Sequence, residues 1–355
     1  MVVASSTPVA PSKIVKNDDF KNNEFFDPEG NKFETSVDEI ISKFEDITEI
    51  HERRHVKEKY VTSDLAFFAA ESALEDAKID KETLDYIIVG HNFGDIKAKS
   101  SQINILPTMS SKVKEKLGIQ NPKTVAYDML FGCPGWLQGV IQANYYIKSG
   151  DAKKILVIGA DVLSRISDPH DRDSMIYADG AGAVILEGIS SEVPVGILAH
   201  STRTDTDGQA YNLWLEKSYN PDFKGNDLFL KMNGRKLYNY ALSYVPSLVK
   251  ECIEKAEVAI EDIKKILIHQ ANAKMDDAIL KRIFKLFNIK RIPDNIMPMT
   301  ISKLGNSSVA TLPTLLDFIL KGKMPEHIIK PGQLTAFASV GAGMNINCVI
   351  YKFPN

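Results

Sequence analysis

Residues 127 to 139 read YDMLFGCPGWLQG, with Cys133 set between Gly132 and Pro134. A buried cysteine is ordinarily a small apolar filler. Here the context differs, because a strand-like VAYDML runs into Gly132, Cys133 and Pro134 and then into an apolar helix. That order puts the sulfur at or near a helix N-cap, with proline at the first helical position. Free backbone amides and the positive end of the helix dipole would favour thiolate over thiol and could hold an oxyanion. A nucleophilic cysteine needs a partner that donates hydrogen bonds or takes a proton. Of seven histidines, His269 closes the apolar strand KKILI within IHQANAK, at the C-terminal edge where catalytic groups of parallel sheets gather. The glycine-rich SVGAGMN (339–345) makes a further turn suited to close backbone approach and donor amides. Taken singly, a strand-end histidine is a satisfied polar residue and SVGAGMN is a plain turn.

An internal duplication brings these pieces together. ALEDAKIDKETLDYIIV (73–89) lies over CIEKAEVAIEDIKKILI (252–268) at a constant offset of 179, with Glu75, Ala77, Glu82 and Ile87 recurring as Glu254, Ala256, Glu261 and Ile266. The stretch from Cys133 to Ala160 likewise lies over Asn306 to Lys323 and then 334–343, with Cys133 on Asn306 at an offset of 173 and Gly150 on Gly322. Each half reads as helices alternating with apolar strands, the pattern of a largely parallel sheet. The helices after Cys133 and Asn306 leave little polar face, so both belong between layers, and Pro313 is expected to kink the second. The fold class expected is α/β, two duplicated sheets sandwiching central helices, with halves at 1–190 and 191–355. Helices related by that symmetry start near one another, which carries Asn306 toward Cys133.

Composition excludes several classes. The 355-residue chain is 44% hydrophobic and 25% charged, enough for a large core. Forty-three basic against 46 acidic side chains, a net charge of -3, argue against a broad nucleic-acid footprint. Three cysteines, far apart and without C-x-x-C spacing, suggest neither a disulfide framework nor a cysteine zinc site, and point to a reducing compartment. The N-terminus lacks a cationic start before a sustained apolar core, and no apolar run reaches membrane-spanning length, so a cytoplasmic protein without membrane attachment is expected. HERRH at 51–55 satisfies the H-E-x-x-H zinc-protease pattern, with Glu71 and Glu75 available as a third ligand. In such proteases the motif lies on a buried helix with uncharged intervening residues. Here Arg53 and Arg54 intervene and Lys57, Glu58 and Lys59 follow, which reads as a solvated charge run.

GCPGW, DVLSRISDPHDR, YADGAGAVIL, LKMNGRKLY, HQAN, LGNSSVATLP and VGAGMN, in this order, resemble the β-ketoacyl-[acyl-carrier-protein] synthase III family, from about residue 48 onward. The resemblance implies a thiolase-like fold in an αβαβα layered sandwich, no cofactor, and a ping-pong decarboxylative Claisen condensation. Cys133 would accept an acyl group from a primer carried on coenzyme A or on acyl carrier protein, with the amides of Cys133 and Ala342 as oxyanion hole. Malonyl-acyl carrier protein would follow, its enolate held by His269 and Asn306. Asparagine suits that task, being a donor that cannot ionise and so cannot quench the carbanion; the histidine would act neutral. The resemblance further implies that Arg172, Gly234 and Asn272 line the pantetheine tunnel. It implies that Lys274, Lys281 and Arg282 meet the carrier protein, that Leu106 and Trp136 bound the acyl pocket, and that the chain forms a homodimer. Relatives carry a tryptophan and an arginine for the nucleotide where this chain offers Lys43 and Ile47, which shifts the expectation toward a carrier-protein primer. Segments 23–38 and 91–105 read as longer than usual. Other thioester condensations on the same fold, such as hydroxymethylglutaryl-type, head-to-head or polyketide-starter chemistry, are the alternatives. A cysteine hydrolase would leave Asn306 unexplained.

Overall fold

The computed structural model describes residues 2–4, 13–100 and 102–355; residues 5–12, within the stretch read for a leader, lie outside them. Two sheets carry the architecture. The first runs, in spatial order, Val2–Ala4, Asp179–Glu187, Lys154–Val162, Tyr86–Gly90 and Val125–Met129. The second runs Gly196–Thr204, Asn345–Lys352, Leu334–Gly341 and Ile263–Ile268. Apart from the edge strand Val125–Met129, the second order repeats the first.

Neither sheet is largely parallel, contrary to the sequence expectation. Tyr86–Gly90 is parallel to both its neighbours and Ile263–Ile268 to its one, while the remaining pairs are antiparallel. Connection length explains this. Leu334–Gly341 reaches Asn345–Lys352 through only three residues, and a parallel return needs a crossover of a dozen or more. Between Lys154–Val162 and Asp179–Glu187 the chain makes only short 3₁₀ turns, not a crossover helix.

Five layers result. The helices Gly135–Ser149 and Thr311–Leu320 lie between the sheets, where Leu137, Ile141, Leu315 and Leu316 pack against Ile88 and Val157 on one side and Leu267 and Phe337 on the other. Strand residues of opposite parity face outward: Ile87 and Val89 meet the helix Thr62–Ala77, and Ile266 and Ile268 pack in the cluster that includes Val245 of Gly234–Lys255 and Ile279 of Ala273–Leu286. Strands covered on both faces must be apolar throughout, which is why they stand out in the sequence. Pro313 introduces no kink, because Thr311–Leu320 starts only two residues before it and a first-turn proline removes no helical bond. No helix among the described residues is long and apolar enough to cross a membrane.

HERRH is not a solvated run. Glu52–His55 is a strand paired with Lys13–Lys16, and Arg53 is fully buried. Its guanidinium donates to the carbonyls of Met175 and Val15 and to Asn17 Oδ1, at 3.0, 3.3 and 2.7 Å, and lies over the rings of Phe20 and Phe44. Burial lowers its pKa only to about 10, so it stays charged. The motif therefore fastens the N-terminal segment to the loop beside Asn306.

Asp276, in the first turn of Ala273–Leu286, is fully buried and neither carboxyl oxygen has a hydrogen-bond partner among the described residues. Burial holds this carboxyl well above 3.8, so the folded chain keeps a proton that the unfolded chain loses, and stability falls as pH rises past that value. Asp276→Ala should therefore stabilise the fold at neutral pH by about 1–3 kcal/mol. The gain should shrink from pH 8 to pH 5 in denaturant titrations; an unchanged or lower midpoint at pH 8 would contradict this.

Candidate active site

Cys133, His269 and Asn306 line one cavity of about 640 Å³ at the edge where both sheets end. Each is placed by backbone geometry. Gly132, with φ of 66°, turns the chain after Val125–Met129, and Gly135 donates back to the Gly132 carbonyl at 2.9 Å. Pro134, already at helical dihedrals (φ −68°, ψ −3°), stands at the N-cap of the helix Gly135–Ser149, so the cysteine comes one residue before the cap. Gly305, with φ of 65°, makes the matching turn before Asn306. The duplication thus survives as a shared left-handed glycine ahead of each functional residue, a conformation unfavourable for residues with a Cβ.

Asn306 is gripped on both sides. Its N–H donates to the Ile176 carbonyl at 3.0 Å and its carbonyl accepts from Ala178 at 2.8 Å. Its side-chain Oδ1 accepts the Ser308 N–H at 2.8 Å, which leaves the amide NH₂ as the free end. His269 follows Ile263–Ile268 and donates its backbone N–H to the Ala338 carbonyl at 2.9 Å. Burial pushes its imidazole down to about 4, so the ring is neutral at physiological pH. Nδ1 has no hydrogen-bond partner among the described residues, so the Nε2–H tautomer is available as a donor.

At the half-buried thiol, desolvation works against the expected thiolate. Burial raises Cys133 to about 12, against the opposing pull of the Ser308 hydroxyl and its own N–H. The dipole argument supplies a modest favourable term, whereas desolvation of an enclosed anion is larger.

The remaining residues divide. Arg172, Gly234, Asn272 and Ala342 line the cavity, as do Lys43 and Ile47 from the helix Val37–Thr48. The Arg172 guanidinium sits 4.9 Å over the ring of Phe33, which the long 23–38 segment contributes. Asn272 is also structural, since its Oδ1 caps Ala273–Leu286 by accepting from Met275 N–H. Leu106 is not in the cavity lining: it is 75% exposed, just after the short strand Ile103–Asn104. Trp136 is also elsewhere, buried among the central helices, because it points into the layer between the sheets. Lys274, Lys281 and Arg282 are exposed and outside the cavity lining; Lys281 pairs with Asp277 at 2.6 Å and Arg282 donates to the Leu242 carbonyl at 2.8 Å. No cluster of potential metal ligands occurs among the described residues, and His51 and His55 sit at opposite ends of an extended segment, unlike neighbours on a helix.

Sequence reasoning missed Asn92, Asp173, Tyr177, Arg235 and Ser308, all on the cavity wall. A signal existed for the neighbouring Asp161: a carboxylate ending the apolar strand Lys154–Val162 in the same way that His269 follows Ile268.

Two family profiles match the chain: 3-oxoacyl-[acyl-carrier-protein (ACP)] synthase III over residues 127–206, and the C-terminal part of the same synthase over residues 253–353. The chain is 32% identical over 346 residues to the beta-ketoacyl-[acyl-carrier-protein] synthase III of Staphylococcus aureus strain Newman, covering 97% of this chain and 96% of that one. The match therefore reaches well upstream of residue 48. The fold is similar to the solved synthase III structures from Thermus thermophilus (TM-score 0.80, 28% identity) and Aquifex aeolicus (TM-score 0.77, 28% identity), each covering 99% of both chains.

A thiol raised to about 12 makes a spectroscopic prediction. Thiolate absorbance near 240 nm, taken as wild type minus Cys133→Ala, should show no step between pH 6 and 9. A step centred below pH 8 would mean that the helix terminus outweighs burial.

Proposed function

The chain belongs to the 3-oxoacyl-[acyl-carrier-protein] synthase III family of condensing enzymes, and from that membership we propose specific roles for its residues. It is an acyltransferase that forms a carbon–carbon bond between two thioesters, the condensation of fatty acid synthesis. The observation that carries the assignment is the meeting of a thiol, a neutral imidazole and an oriented carboxamide on one enclosed wall.

In the first half-reaction Cys133 Sγ attacks the primer thioester, and the amides of Cys133 and Ala342 receive the developing oxyanion. The primer's thiol leaves and the acyl group lodges among Phe93, Leu163, Leu215 and Leu230, which make that wall apolar. Malonyl-acyl carrier protein then enters. As carbon dioxide departs, His269 and Asn306 donate to the thioester oxygen that takes up enolate charge. Both groups are neutral donors, so they stabilise the anion without protonating the carbon that must attack acyl-Cys133. The products are a β-ketoacyl carrier protein and free Cys133.

Lys43, Arg172 and Arg235 place positive charge on the cavity wall, suited to the phosphate of a pantetheine arm. Lys43 is shared with Glu39 at 2.7 Å, and Ile47 offers an apolar face where relatives stack a nucleotide, which supports a primer delivered on carrier protein. Of the three cations proposed for the carrier-protein face, Lys281 pairs with Asp277 and Arg282 with the Leu242 carbonyl, while Lys274 has no ion-pair partner among the described residues. A homodimer is supported by exposed Ile103, Ile105 and Leu106 beside the open edge strand Val125–Met129, where Val125 is also exposed. Halves dividing at 190/191 fit the passage from Asp179–Glu187 to Gly196–Thr204, and a cytoplasmic site of action fits carrier-borne substrates.

Cys133→Ala should abolish condensation while leaving some malonyl decarboxylation, whereas His269→Ala should still acylate and lose about 10²–10³-fold in the decarboxylative step. Intact-mass analysis after incubation with acyl thioesters should place the added group on Cys133; label on Cys252 or Cys348 would contradict the assignment. The same primers offered on coenzyme A and on carrier protein should acylate faster from carrier protein. Equal or faster transfer from coenzyme A would remove the argument from Lys43 and Ile47.

A further inference from the structure

The HERRH strand lies outside the cavity lining, yet its inward face bonds the stretch of chain that holds Asn306. Side chains along Glu52–His55 alternate between faces. Glu52 and Arg54 pair with each other at 2.7 Å, while Arg53 and His55 both reach residues 175–177. Arg53 Nε donates to the Met175 carbonyl at 3.0 Å, and His55 Nε2 donates to the Tyr177 carbonyl at 3.3 Å. The intervening residues bond on the opposite side. Ile176 accepts the Asn306 N–H at 3.0 Å, and the Ala178 N–H donates to the Asn306 carbonyl at 2.8 Å, so that Tyr177 and Asn306 form an isolated parallel bridge. Residues 175–178 are therefore a rail with two edges, one bonded to Arg53 and His55 and the other to Asn306.

The same strand also fixes the approach to Asn306. The His51 N–H donates to the Ser302 carbonyl at 3.0 Å, within the short helix Ile301–Leu304. A Cβ on Gly305 would stand 2.8 Å from Arg53 Cβ, so the left-handed turn before Asn306 is seated directly on this arginine. The guanidinium is itself held, by the Val15 carbonyl, by Asn17 Oδ1 and by the rings of Phe20 and Phe44. A planar fork of five donors can serve several acceptors at once. Cys133 and His269 are fastened elsewhere, the first by its glycine turn and the contact with Gly341, the second by the Ala338 carbonyl.

We propose that Arg53, aided by His55, is a positioning residue for Asn306: by fixing residues 175–178 it aims the carboxamide NH₂ at the enolate oxygen of the malonyl thioester. The proposal rests on the reading of Asn306 as an enolate donor. Asn306 is oriented by its two backbone bonds to the rail and by the Ser308 N–H on Oδ1, so a shift of the rail becomes a shift of the donor. A group displaced by about 1 Å can lose on the order of 10²-fold in rate. The consequence is selective. Loosening the rail weakens decarboxylation, which needs the carboxamide, and spares acylation, which engages Cys133.

The test separates the half-reactions in wild type, Arg53→Met, Asn306→Ala and the double variant. Acylation of Cys133 is followed by rapid-quench intact mass, and decarboxylation by carbon dioxide released from malonyl-acyl carrier protein on the acylated enzyme. Arg53→Met should slow decarboxylation by about 10- to 100-fold and leave acylation within about twofold. In the Asn306→Ala background the same substitution should slow decarboxylation by less than about twofold, because the group it acts through is gone. His55→Phe keeps a ring and removes one N–H, and should show the same selective pattern at about three- to tenfold. Equal slowing of both half-reactions, or the full slowing repeated without the Asn306 carboxamide, marks a purely structural role and would overturn the proposal. So would a wild-type decarboxylation rate in Arg53→Met or, should that variant not fold, in His55→Phe. A wild-type decarboxylation rate in Asn306→Ala would instead sink the enolate role of Asn306, a failure read from that single variant alone.

Discussion

Two glycine turns, one from each half, touch without a side chain between them. A Cβ on Gly341 would lie 2.5 Å from the Cys133 nitrogen, and one on Gly132 would lie 2.7 Å from the Ala342 nitrogen. Real Cβ atoms do not approach so closely, so the halves can close to this separation only through glycine. Everything at the site inherits that closeness. It brings the Cys133 turn against the end of the second sheet and lets Ser308 of the second half reach the sulfur of the first.

Partial loss of solvent bears on the resting chemistry. The same loss of solvent lifts the thiol and depresses the imidazole, because in each case the charged form is penalised. The site at rest is therefore a set of neutral dipoles. Such a site suits a reaction whose charge appears only transiently on a thioester oxygen, since fixed donors meet that charge without reorganising. A resting ion pair of thiolate and imidazolium would instead place an acid next to the carbanion.

Much of this was legible in the sequence, for local reasons. Strands buried on both faces are apolar throughout, Gly132 precedes Cys133 where a strand runs into a helix, His269 closes an apolar strand, and the offsets of 179 and 173 relate one half to the other. Those features located Cys133, His269 and Asn306. What escaped depends on contacts between distant residues. Desolvation of the thiol is a property of the cavity and not of FGCPG, so the dipole argument lacked the opposing contribution. Arg53 reads as a surface charge because its acceptors, Val15, Asn17 and Met175, are scattered along the chain. Trp136 follows the nucleophile by three residues but points between the sheets, and Leu106 is exposed and outside the cavity lining. The antiparallel return strands are marked in the sequence only by short connections, such as the three residues between Leu334–Gly341 and Asn345–Lys352, which apolar periodicity does not register.

The central claim is that the thiol, the imidazole and the carboxamide act on one thioester. A crystal structure of the protein with a non-decarboxylating malonyl-thioester analogue tests it most directly. The account predicts the analogue's thioester oxygen within about 3.2 Å of both His269 Nε2 and Asn306 Nδ2, with the carbon beside it facing Cys133 Sγ. An analogue bound in the cavity with its oxygen on neither donor, or with its carbon turned away from the sulfur, would contradict it.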